Sequence, residues 1–166
     1  MVLVVVEEML YITSDHHFCH KNIIKYCVRP FRSVEEMDSM MIRNWNSTVK
    51  EGDIVLHLGD FALTSFEHLK DIRNRLNGTI FIILGNHDKS RLQMAKAGFI
   101  AIEGNSVTID NMIFTHRPLG FVPKDCVNVH GHIHEKDTTG NRFNICVDKT
   151  DYYPINIFRL KELIRK

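Results

Sequence analysis

Short apolar, β-branched runs recur along the chain, separated by stretches in which apolar residues return every third or fourth position. Leu10 to Thr13, Ile54 to Leu58, Ile80 to Leu84, Val107 to Ile109, Met112 to Thr115, Val127 to Val129 and Asn144 to Val147 predict strands. Val34, Met37, Met41, Trp45 and Val49 share one helical face, and Ser33 with Glu36 forms a capping box at its start. A second helix is expected from about Phe66 to Leu76, closed by Asn77-Gly78, and a third from Lys89 to Ala97, stopped by Gly98. Leu160 to Arg165 reads as a short closing helix. Asp110-Asn111 and Thr139-Gly140-Asn141 are hairpin signals, so the later half of the chain is expected to be antiparallel in character. The opening run Met1 to Val6 reads as an edge strand or as extra residues ahead of the fold. It has no basic region before it, ends at Glu7-Glu8, and is too short for a signal peptide or a membrane span.

The length of 166 residues fits one domain over 1–166 with a single substantial core. The formal charge is +1, with Lys and Arg scattered among Asp and Glu, which removes a broad basic surface for sequence-independent nucleic-acid binding but leaves a nucleotide-sized ligand open. Cys19, Cys27, Cys126 and Cys146 show neither CxxC pairing nor zinc-finger spacing. They are expected to be reduced thiols in a cytoplasmic protein. There is no repeat or low-complexity tract.

The chemistry-bearing residues collect at five points: Asp15-His16-His17, Gly59-Asp60, Gly85-Asn86-His87-Asp88, His116 and Gly131-His132-Ile133-His134. Each follows a predicted strand, so the strands deliver their polar groups to one edge, where open α/β sheets place ligands. In extended backbone, residues two apart share a side, which lets Asp15 with His17, and His132 with His134, address a common centre. The pattern points to a two-metal centre assembled from strand ends.

The order DxH, GD, GNHD, H and GHxH resembles the calcineurin-like metallophosphoesterase superfamily, from about Tyr11 to His134. The resemblance implies an α/β fold, a four-layer sandwich of two mixed β-sheets flanked by helices. It further implies that Asp15, His17 and His134 bind one metal, that Asn86, His116 and His132 bind another, and that Asp60 bridges both. His87 would act as the catalytic histidine, with Asp88 holding it. Four positive charges on two divalent ions exceed what Asp15, Asp60 and a bridging hydroxide neutralise. The residual charge can hold phosphoryl oxygens and lower the pKa of bound water, to about 7 in favourable zinc sites. A departing alkoxide needs a proton, and His87 suits that task because imidazole titrates near neutrality. The implied activity is phosphate-ester hydrolysis, with diesters preferred because so small a chain shows no capping domain.

Where members often read GDxxR, here Gly59-Asp60 is followed by Phe61-Ala62-Leu63. Arg117 is the candidate for the missing phosphate grip, by bidentate guanidinium contact, against the plainer reading of a surface arginine before Pro118. His20 is a candidate substrate contact. Asp88 could equally cap the following helix. His16 is expected to be solvated or hydrogen-bonded, His57 to be a satisfied core histidine or one that supports a ligand from behind, and His68 and His130 to carry no role. A donor set of imidazole, carboxylate and amide suits Mn, Fe, Zn, Co or Ni, with manganese the expected cofactor. The alternatives are a non-catalytic scaffold of the same fold, a phosphomonoesterase and a nuclease subunit. Retention of His87 speaks against the first, and no Ser or Cys nucleophile motif is present.

Overall fold

A computed structural model describes residues 8–165; the predicted strand at Met1 to Val6 lies outside them. Four parallel strands, β1 (Leu10–Thr13), β2 (Ile54–His57), β3 (Thr79–Ile82) and β4 (Ile100–Ala101), form one sheet in the order β4-β3-β2-β1. β9 (Ile155–Asn156) closes it antiparallel to β1. The second sheet runs β5 (Ser106–Ile109), β6 (Met112–Thr115), β7 (Val127–His130) and β8 (Arg142–Asn144). The helices are α1 (Ile23–Tyr26), α2 (Val34–Thr48), α3 (Phe66–Asn74), α4 (Arg91–Lys96) and α5 (Ile157–Ile164). Two mixed sheets with flanking helices match the expected architecture.

The first sheet is apolar on both faces, as crossover-connected parallel strands require. Val55, Ile80 and Ile82 pack with Met37, Met41 and Trp45 of α2, Leu69 and Ile72 of α3 and Met94 of α4. The alternate residues Ile12, Leu56, Leu58 and Ile83 meet Met112, Phe114 and Val129 of the second sheet, together with Ile157 and Leu160 of α5. Full burial of each such side chain contributes roughly 1.5–3 kcal/mol. The predicted cap forms in half: Ser33 Oγ accepts from Glu36 N, but the Glu36 carboxylate reaches Arg32 N, one residue ahead of the N-cap amide that a capping box uses.

Two expectations for the later half are corrected. The Asp110-Asn111 turn does join an antiparallel pair, Ile109 opposite Met112, but β7 lies parallel to β6 and β8 parallel to β7. The Thr139-Gly140-Asn141 signal makes no hairpin, because Arg142 turns its guanidinium onto the carbonyls of Leu119, Gly120 and Thr139 and brings β8 alongside β7 from a crossover. The strand predicted at Asn144 to Val147 ends at Asn144. Its continuation changes sheets: Cys146 bridges Ser14 beyond β1, and Val147 N donates to Ser14 O at 3.1 Å before a 3-10 turn, Val147–Lys149. That bridge ties the two sheets together directly beneath the polar edge.

Candidate metal centre

The loops after β1 and β2 continue side by side past the strands. Asp15 N donates to Gly59 O, His17 N to Asp60 O and Phe18 N to Phe61 O, at 2.9–3.0 Å. The backbone is not extended there, contrary to the reading of the motifs as strand ends. Asp15, His17, Asp60, His132 and His134 all have φ between 52° and 70°. For non-glycine residues this left-handed conformation is strained, and such strain clusters at functional sites. The loops also need room. A Cβ on Gly85 would strike Asp60, and one on Gly131 would strike Asp15 and Ser14. Both glycines are therefore required by close approach.

The five motifs converge. Asp15, His17 and His134 form one group, and Asp60, His116 and His132 another, with ligand-capable atoms in each group within 4.8 Å of one another. Asn86 joins the second, its Oδ1 3.1 Å from His116 Nε2. Asp60 Oδ2 lies 3.5 Å from His17 Nε2 in the first group and 3.5 Å from His116 Nε2 in the second. Donor atoms about 2.0–2.2 Å from a shared ion stand roughly 3–3.5 Å apart.

The pattern of satisfied and unsatisfied atoms fits cations. Asp15 Oδ2 accepts from Ser14 Oγ, His132 N and the Cys146 thiol, while Asp15 Oδ1 is buried without a partner. Both ring nitrogens of His17 are buried and unpartnered. Burial, and then its neighbours His134 and Arg29, push the His17 pKa down to about 2, so the ring is neutral. His116 Nδ1 can only donate to Leu58 O, at 2.8 Å, a tautomer that puts the ring's lone pair on Nε2, facing the oxygens of Asn86 and Asp60. Lone pairs pointed at one another in a buried site are costly, and a divalent cation satisfies them. His132 is likewise held below its ordinary pKa, by burial and then by His116 and Arg117.

Arg117 stands at the second group, donating to His132 at 3.0 Å and to Asn86 Oδ1 at 3.1 Å, so it lies on the centre and is not a detached surface residue. His87 is exposed at the rim, with its backbone N held by Asp60 Oδ1 at 2.9 Å. His20 is partly buried, its ring 6.4 Å from that of His87. Asp88 is corrected on both readings. Its carboxylate accepts from the backbone N–H groups of Asp60, Phe61 and Gly85, each at 2.8 Å, leaving the His87 ring alone. Ser90, not Asp88, caps α4. Asp88 thus clamps two motif loops together. His16 and His57 are fully buried and paired, Nδ1 to Nε2 at 3.0 Å; His57 is satisfied on both nitrogens, its Nδ1 accepting from Gly59 N at 3.1 Å, while His16 Nε2 is buried without a partner.

Sequence reasoning missed Arg29 and Asp148. The Arg29 guanidinium grips Asp148 at 2.8 and 3.0 Å and the carbonyls of Asp15 and His16 at 2.8 and 2.7 Å. Asp148 in turn lies 3.4 Å from His134 Nδ1. Against the effect of burial, Asp148, Cys27 and Asp15 hold the His134 pKa above its ordinary value. No local signal marks a pair 119 residues apart.

A sequence model described as calcineurin-like phosphoesterase matches residues 9–162. The chain belongs to that family. It is therefore a phosphoesterase in general terms, of a family whose members normally hold divalent metals. It is 37% identical over 172 residues to the uncharacterized protein MJ1445 of Methanocaldococcus jannaschii, covering 95% of this chain and 92% of that protein. It superposes on the protein of unknown function AQ665 from Aquifex aeolicus with a TM-score of 0.74 and 26% identity, over 95% of this chain and 100% of the other. The Pseudomonas putida nuclease MPE shares the fold at a TM-score of 0.53 and 18% identity, over 75% of this phosphoesterase and 61% of the nuclease.

Proposed function

We propose that this phosphoesterase acts as one domain on phosphodiesters, with two divalent cations, manganese foremost, held by Asp15, His17 and His134 on one side and Asn86, His116 and His132 on the other. The observation that carries this reading is Asp60 Oδ2, equally placed at 3.5 Å from a ring nitrogen of each group. When bound, the cations supply Lewis acidity toward phosphoryl oxygens and an attacking water of lowered pKa. The chain's own groups do the rest. Asp60 fixes the spacing of the two groups, while Arg117, able to swing from His132 and Asn86 onto the ester, neutralises the phosphoryl oxygens in place of the missing motif arginine. His87, exposed and unencumbered at the rim, delivers a proton to the departing alkoxide.

Diester preference is supported by two clefts of about 430 Å³, one lined by Asn86, His116 and Arg117 of the second group and one by His17, His134 and His87 beside the first, each able to take one organic group. Among the described residues no helix is long and apolar enough to cross a membrane, and the four cysteines are free, which fits work in the reducing cytoplasm. The test is turnover by manganese-loaded protein of bis-p-nitrophenyl phosphate against p-nitrophenyl phosphate. The diester is expected to be cleaved faster, and His87→Ala to slow it at least tenfold, on the order expected of a lost general acid, with metal content unchanged. Equal turnover by His87→Ala removes that residue from the reaction.

A further inference from the structure

We propose that the cleft beside His87 is a nucleobase subsite in which the base of the departing nucleoside stacks on Tyr26, a reading that rests on the phosphodiesterase function above. Of the two clefts, His87 lines only the one shared with His17, His20, Tyr26, His134 and Lys136. A leaving alcohol protonated by His87 must lie on that side. The group attached to it therefore meets this wall and not the one formed by Arg117, Pro118 and Leu119.

The wall is aromatic from the reacting centre outward. The His20 ring sits 5.7 Å from His17 and 6.4 Å from His87, and Tyr26 meets His20 edge-on at 6.2 Å. Tyr26 is 69% exposed, yet its backbone is pinned: Ile23 and Cys27 on either side are buried, Tyr26 N donates to Asn22 O at 3.0 Å, and Arg29 N donates to Ile24 O at 2.9 Å. A large ring displayed on a fixed turn, with two rotatable side-chain bonds to freeze, gives up little freedom when a flat ligand lies on it. Every nucleobase has a π face, so such a platform selects nucleoside esters over alkyl esters without strong preference among bases. Lys136 and Glu135, on the same cleft, offer a cation and an acceptor to base edges.

The experiment titrates AMP and ribose 5-phosphate separately into the manganese-loaded full chain by calorimetry, with bis-p-nitrophenyl phosphate hydrolysis measured on the same samples. AMP is expected to bind roughly tenfold more tightly than ribose 5-phosphate, the order of one stacked base. Tyr26→Ala is expected to bring the two within about twofold and Tyr26→Phe to keep the difference. Because Tyr26 is exposed, the variant fold is checked by unchanged Trp45 fluorescence. Equal affinities in the unmodified protein, or full AMP preference in Tyr26→Ala, overturn the subsite. Absence of hydrolysis by a protein that discriminates AMP overturns instead the phosphodiesterase reading and with it the departing-group role.

Discussion

Replacing Arg29 by methionine isolates what the buried ion pair under the first ligand group contributes. Arg29 is 4% exposed, and its guanidinium makes four polar contacts under 3.1 Å, two to Asp148 and one each to the carbonyls of Asp15 and His16. Arg29→Met keeps much of the apolar volume but leaves the buried Asp148 carboxylate with only His134 Nδ1, at 3.4 Å, in place of the guanidinium. Breaking a buried pair from one side costs about 3–5 kcal/mol. At this chain length that lowers Tm by roughly 6–20 °C. The assay is urea unfolding in excess chelator, read by Trp45, the sole tryptophan and fully buried. With a slope of about 1–3 kcal/mol per molar urea, the midpoint falls by at least about 1 M. The deficit shrinks as pH is lowered, because the stranded Asp148 can take up a proton and become neutral. Arg29→Met combined with Asp148→Leu recovers most of the loss, since it removes the stranded carboxylate and returns His134 toward its ordinary pKa. A single variant less than about 1 kcal/mol below the parent would mean the pair is as weak as a solvent-screened bridge, and the reasoning fails.

Gly131→Ala places a methyl group against Asp15 and Ser14, so it is expected to destabilise the fold by about 1–3 kcal/mol and to weaken metal binding roughly 10–100-fold; an unaltered calorimetric metal affinity contradicts that. Asp60→Ala is expected to lower the metal content sharply, and elemental analysis still finding two ions per chain would end its bridging role. Burial, then His116, pushes the His57 pKa down to about 3, whereas the unfolded chain titrates near 6.5. The unfolded state then binds the extra proton between those values, so stability is complete above pH 6.5 and lost at up to about 1.4 kcal/mol per pH unit below it. His57→Gln is expected to flatten that acid slope, measured by urea midpoints from pH 7 to 4, and an unchanged slope refutes it.

The first sheet and α2 were legible because their periodicity serves burial directly: β1, β2 and β3 alternate between two apolar layers, and α2 carries a cap at Ser33 and one apolar face. α1, β4 and β9 were not legible, being two to four residues long and held by contacts from distant parts of the chain. Parallel pairing of β7 with β8 was hidden because Gly140 reads locally as a hairpin turn, while the side chain of Arg142 decides the path. For the candidate ligands, the family resemblance implied the two groups whose donor atoms the folded loops bring together. Their left-handed backbone was not legible, since Asp and His are unremarkable in sequence at any φ. Asp88 shows the same limit: its position after a motif histidine suggested a partner for that ring, and only the folded loops reveal three amides waiting for it.

His17 occupies a backbone well that glycine enters freely, and it keeps two nitrogens from any partner. In a chelated medium, His17→Gly relaxes the turn and deletes both orphans, against the void left by the ring. Breeding this chain for heat tolerance without metal would therefore drift toward losing a proposed ligand, and trace-element supply during such a selection decides whether the histidine is kept.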